Sequence, residues 1–133
     1  MLSLFPGLLF LAPFSATILR VGAGLSFIYI GCALIVRRDS IKGIDFPMVH
    51  YMSSWLIIVA GGMTLLDGFA ILVGFGTQLA AIIGMLISLK HVLLSRRFDG
   101  VQTLARSTNI LLFLMCLSLL ITGAGPFGFD LPL

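Results

Sequence analysis

The sequence predicts an all-α protein: an integral membrane four-helix antiparallel bundle with short loops, forming a single domain over residues 1–133. Composition gives the first reason. The chain is 59% hydrophobic and 10% charged, with a mean hydropathy of +1.18. A soluble domain carries about 25% charged residues because its surface must face water. The second reason is pattern. The apolar runs are long and unbroken, whereas a membrane β-barrel alternates over short segments. Length supplies the third, since a span needs roughly 20 apolar residues and the chain has room for about four.

Residues 1–13 are apolar but broken by Pro6, Gly7 and Pro13. No basic region precedes them and no small-residue cleavage pattern stands out, so the expectation is an interfacial lead-in and not a cleaved signal peptide. Pro13 suits a first helical turn. The first span is expected over about 14–36, ending at Arg37-Arg38. At 100° per residue, Arg20, Gly24, Phe27 and Gly31 share one face, and its glycines mark it as the face turned to neighbouring helices.

A polar loop over 37–53 follows, and Tyr51 and Trp55 are placed where the chain re-enters the bilayer. The second span is expected over 54–75, with Asp67 on a face shared with Ala60, Met63 and Gly74. Gly74-Phe75-Gly76-Thr77 is long enough only to reverse the chain, so spans two and three form an antiparallel hairpin. Span three, about 77–94, is preceded by Gly76 and carries Ala80, Gly84 and Ser88 at four-residue steps, a small-residue stripe that helix packing explains by itself. After a second polar loop, span four is expected over 108–122, ended by Gly123-Ala-Gly125-Pro126.

With four spans, loops 37–53 and 95–107 lie on one side. Together with Lys90 at the adjoining end of span three they hold seven of the eight basic residues. Positive charge collects on the cytoplasmic side, which places both basic loops there and both termini outside. The same rule accounts for the net charge of +3, and nucleic acid is not expected as a partner. The partners expected are the lipid bilayer, and either a redox partner subunit or a homo-oligomer.

The polar residues inside the spans are the candidate sites. Arg20 and Asp67 are expected at similar depth, about 9 and 12 Å from the same face at 1.5 Å per residue, as an intramembrane ion pair or a water-bridged one. Whether that pair only fixes helix register or also binds a ligand or proton is left open by the sequence. Thr64, Gln78 and Asp130 form a candidate polar rim around it. At the cytoplasmic end, His91 and Asn109 are candidates for a hydrogen-bonded pair. His91 has no second ligand at helical spacing, so no metal site is expected, and His50 reads as a solvated loop residue. Cys32 and Cys116 read as packing residues. No phosphate loop, zinc-protease motif, dinucleotide fingerprint or nucleophile elbow is present, no catalytic residue is assigned, and whether the chain is an enzyme is left undecided.

Three segments resemble the DoxX/DoxD-like family of small four-helix membrane proteins. Ile18-Leu-Arg20-Val-Gly22-Ala-Gly-Leu is similar to its leading Leu-Leu-Arg-x-x-x-Gly segment. Ile71-Leu-Val-Gly74-Phe-Gly-Thr77-Gln78-Leu-Ala-Ala is similar to its Leu-Leu-x-Gly-x-x-Thr-Arg-x-Ala-Ala turn, and Gly123-Ala-Gly125-Pro-Phe-Gly-Phe-Asp130 to its closing Gly-x-Gly-x-x-Ser-x-Asp. Gln78 stands where the family commonly has Arg, and Gly128 where it has Ser. The resemblance implies an inner- or plasma-membrane accessory or anchoring subunit of a quinone-linked or oxidative-stress complex, with a quinone as its possible cofactor. The alternative is a small four-helix transporter that dimerises around an intramembrane acid. A thiol–quinone oxidoreductase is disfavoured because its paired cysteines are missing.

Overall fold

The computed structural model describes residues 12–41, 54–94 and 104–123, and these are almost entirely helical. Four long helices, α1 (Ala12–Val36), α3 (Ser54–Val73), α4 (Thr77–Leu94) and α5 (Arg106–Thr122), are accompanied by a single turn, α2 (Arg38–Ile41). No strand occurs among the described residues. α1 packs most extensively on α3 and α4 on α5, with lighter α3–α4 and α1–α5 seams closing the ring.

Glycine sets the α1–α3 seam. A Cβ on Gly24 would stand 2.9 Å from the carbonyl oxygen of Gly68, and one on Gly31 would stand 2.9 Å from that of Gly61. These contacts bring the two backbones into direct apposition. The two glycines are seven residues apart on each helix, running in opposite directions. Contact that persists over two turns requires a small crossing angle, the shallow packing of four-helix bundles. Across the bundle, Gly84 of α4 lets Phe27 of α1 and Cys116 of α5 meet it, each with an atom 3.0 Å from where its Cβ would be. Phe27 and Cys116 are both fully buried. This junction, with Ala23, Ile30, Ile71, Ala81, Leu112 and Leu119 around it, is the core.

The helix ends follow local chemistry. α3 stops at Val73, two residues before the expected 75, because Gly74 takes φ 78° and leaves the helix. Phe75 N–H then bonds back to Ala70 O at 3.1 Å, the six-to-one closure of a Schellman motif. Gly76 takes φ 57° and its carbonyl accepts from Ala80 N–H at 3.0 Å, so the new helix starts at once. The 74–77 segment thus reverses the chain as expected. α5 opens at Arg106, two residues early, and ends at Thr122, capped by Gly123, whose N–H bonds Leu119 O at 2.8 Å. Pro13 lies in the first turn of α1.

Apolar side chains lie on the outside of the described helices as well as in their core. Large apolar residues face outward on every long helix, among them Ile18, Tyr29, Trp55, Leu66, Leu79 and Ile121. Arg20, Thr64, Asp67, Thr77, Ser88, His91 and Asn109 are buried. Phe14–Val36 and Ser54–Val73 are long and apolar enough to cross a membrane; Thr77–Leu93 and Arg106–Thr122 are apolar but shorter.

Two packing expectations are corrected. Met63 does not share the interior face with Asp67 but is 66% exposed, because α3 turns Ile57, Gly61, Thr64, Gly68 and Ile71 inward with Asp67. Cys32 is exposed on α1 and not a packing residue, whereas Cys116 is buried.

Candidate functional site

The interior polar residues fall into two groups, one toward the α3–α4 turn and one toward the opposite, basic end. Arg20 and Asp67 belong to the first, 4% and 6% exposed. Arg20 is turned inward because it shares a face with Gly24, Phe27 and Gly31, and that whole face is buried. Asp67 precedes Gly68, whose contact with Gly24 holds that side of α3 against α1.

The glycine register fixes their relative height. With Gly24 against Gly68 and Gly31 against Gly61, Arg20 stands level with Leu72 and Asp67 with Leu25. The two are offset by five residues, roughly 7.5 Å along the axis. A contact between them therefore has to be made by the length of the arginine side chain. Asp67 Oδ2 is buried with no hydrogen-bond partner among the described residues. A buried carboxylate oxygen without a partner is costly, so this atom marks where a proton, a cation or a hydrogen-bond donor would be accommodated.

The candidate rim is not assembled among the described residues. Thr64 lies one turn from Asp67 on the same buried face and spends its hydroxyl on Ala60 O at 2.8 Å. Gln78 is exposed on α4, one position past buried Thr77. Asp130 lies outside the described residues, as do His50 and Tyr51.

At the other end, the Gly84–Cys116 contact places His91 of α4 level with Asn109 of α5. Both are buried, but each bonds its own backbone neighbourhood. His91 Nδ1 pairs with Ile87 O at 2.8 Å, and Asn109 Nδ2 donates to Leu104 O at 3.4 Å. Asn109 Oδ1 and Ser88 Oγ are buried without a hydrogen-bond partner among the described residues. Among the described residues no hydrogen bond joins His91 to Asn109; each side chain has its partner on its own stretch of chain.

Ser88 and Thr77 are buried polar residues that the sequence did not single out as site residues. The available signal was the four-residue small-residue stripe, which contains Ser88 and passes one residue from Thr77. No group of three or more potential metal ligands occurs among the described residues. Comparison with family models, with curated proteins and with solved structures gives no match.

Proposed function

We propose that the chain is a multi-pass protein of the inner or plasma membrane, crossing it with α1, α3, α4 and α5. Loops 37–53 and 95–107 face the cytoplasm and both termini face outward. One observation carries this reading: large apolar side chains cover the outside while Arg20, Asp67, His91 and Asn109 lie inside. In water that distribution would expose apolar surface on all sides and bury charge. In lipid it is the favourable one, since the hydrocarbon accepts the apolar surface and intramembrane charges turn to the bundle interior.

Within that setting the chain serves as an accessory or anchoring component of a membrane redox complex of the DoxX-like kind. The support is the resemblance. Two of its three segments form structural pivots, the Arg20–Leu25 stretch at the α1–α3 glycine contact and the 71–81 turn. Purification in mild detergent tests it. Co-purifying redox subunits, or absorbance of a bound quinone or flavin, are expected; a protein that purifies alone with no chromophore rejects it.

A second reading is a small proton-coupled transporter, favoured by Asp67, whose Oδ2 is buried without a hydrogen-bond partner among the described residues. Proton-coupled flux in liposomes that is abolished by Asp67→Asn supports that reading over the first.

A further inference from the structure

We propose that the basic end of the α4–α5 pair docks the anionic headgroup of a phospholipid, with Lys90 as the principal contact and Arg106 beside it. The inference rests on the membrane reading above. Lys90 is exposed, and it stands on the outward side of α4 among exposed Leu79, Ile83, Leu86, Leu89 and Leu93. It makes no ion pair among the described residues. Arg38 at the same end differs, with its Nε 3.8 Å from Asp39 Oδ2.

A cation on a lipid-facing stripe can take its counter-charge from an anionic headgroup. Lys90 is four residues from the end of α4 at Leu94, roughly 6 Å inside it. Its aliphatic stem can lie along the apolar stripe while the ammonium reaches the headgroup layer. Arg106 is exposed at the start of α5. The Gly84–Cys116 contact places Arg106 level with Leu94 and Lys90 level with exposed Ile110. The two cations thus sit on adjacent helices about one turn apart in height, roughly 6 Å. Exposed Leu86, Ile110 and Leu114 continue the outward surface below them and provide apolar area for acyl chains.

Helix length points the same way. α4 and α5 have 18 and 17 residues, against 25 in α1. They are about 27 and 25 Å long, short of a hydrocarbon core about 30 Å thick. A short span thins the bilayer around it or snorkels its flanking cations, either of which brings headgroups toward Lys90. Phosphatidylglycerol offers a net negative phosphate and phosphatidylcholine does not.

The test reconstitutes the full chain in vesicles of equal phosphatidylcholine and phosphatidylglycerol, extracts it in mild detergent, and quantifies retained lipids by mass spectrometry. The wild type is expected to retain phosphatidylglycerol in excess. Lys90→Gln should reduce that excess about fivefold, the effect of one basic residue at an anionic surface. Lys90→Arg should keep it, and Lys90→Gln with Arg106→Gln should abolish it. Equal retention of both lipids by the wild type, or undiminished excess in folded Lys90→Gln, overturns the proposal. Loss of the excess in inorganic phosphate but not in chloride of the same ionic strength also overturns it, because the site would then take the free anion. Alkaline carbonate extraction separates the two levels. A chain that stays in the membrane but shows no lipid preference rejects the lipid site alone, and a chain released into solution rejects the membrane reading with it.

Discussion

Asp67 and Ser88 are both buried, and each has an oxygen without a hydrogen-bond partner among the described residues, yet opposite consequences are expected from removing them. A serine hydroxyl is uncharged and small. Ser88→Ala discards a buried group that has no partner to leave behind, so thermal unfolding in detergent should show it neutral or slightly more stable. A drop of more than about 1 kcal/mol would reveal a bond the hydroxyl makes in the folded protein. Asp67 carries charge and lies on the α1-facing side of α3 with Arg20 buried on α1. If the two compensate each other, Asp67→Ala strands a buried guanidinium, at a cost of about 3–5 kcal/mol for breaking such a pair. Replacing Arg20 by Ala as well then restores part of the loss. Folded yield of the two single variants and the double variant decides it: a double variant no better than Asp67→Ala ends the pairing idea. Both residues were legible in the sequence as charges on small-residue faces. Their five-residue offset was not, because depth was counted from estimated span ends and the true register comes from which glycines touch.

At the level of the helices, small residues were the readable signal and hydropathy was not. A bundle with apolar groups both inside and outside offers no polar face, so period alone cannot say which way Met63 or Cys32 points. The glycines could, since close backbone approach needs them. That is why the Arg20–Gly24–Phe27–Gly31 face was legible and the outward turn of Met63 was not. Helix limits agreed with the expected ones to within two residues, and the differences come from α1 starting at Ala12, from Gly74 leaving α3 early and from α5 starting before its apolar run. The α2 turn has no apolar pattern to announce it. The register itself is testable. A Cβ at Gly31 would meet Gly61 O at 2.9 Å and Leu65 Cγ at 2.7 Å, and the backbone oxygen cannot swing aside. Gly31→Ala is expected to push α1 off α3 and cost about 1–3 kcal/mol. At Gly62, one residue from the α1-facing Gly61, nothing lies within 4 Å of the added carbon. Gly62→Ala should be neutral or stabilising by up to about 1 kcal/mol, since alanine is the better helix former. Equal melting shifts for the two variants would reject the α1–α3 packing.

For the molecule as a whole, charge asymmetry makes the strongest claim. The basic residues Arg37, Arg38, Lys90 and Arg106 stand at the end of the bundle opposite the α3–α4 turn, and Arg96, Arg97 and Lys42 belong by sequence to the loops at that same end. The turn itself, Gly74–Thr77, carries no charge. On the membrane reading proposed above, translocating a basic loop is opposed and an uncharged four-residue turn is not, so the insertion that leaves the turn outside is the favoured one. On the four-span reading proposed above, an even number of crossings then returns Leu133 to the side of Met1. A reporter active only outside the cytoplasm, fused after Leu133, is expected to be active, and the same reporter inserted near Gly100 to be silent. Moving charge should move the topology. Replacing Arg37, Arg38 and Lys42 by Gln while placing three Lys around Phe75 removes the bias at one end and creates it at the other. Mixed or inverted reporter signals are the expected result. Should the altered chain keep the original orientation, charge does not set it, and the cytoplasmic assignment of loops 37–53 and 95–107 loses its physical basis.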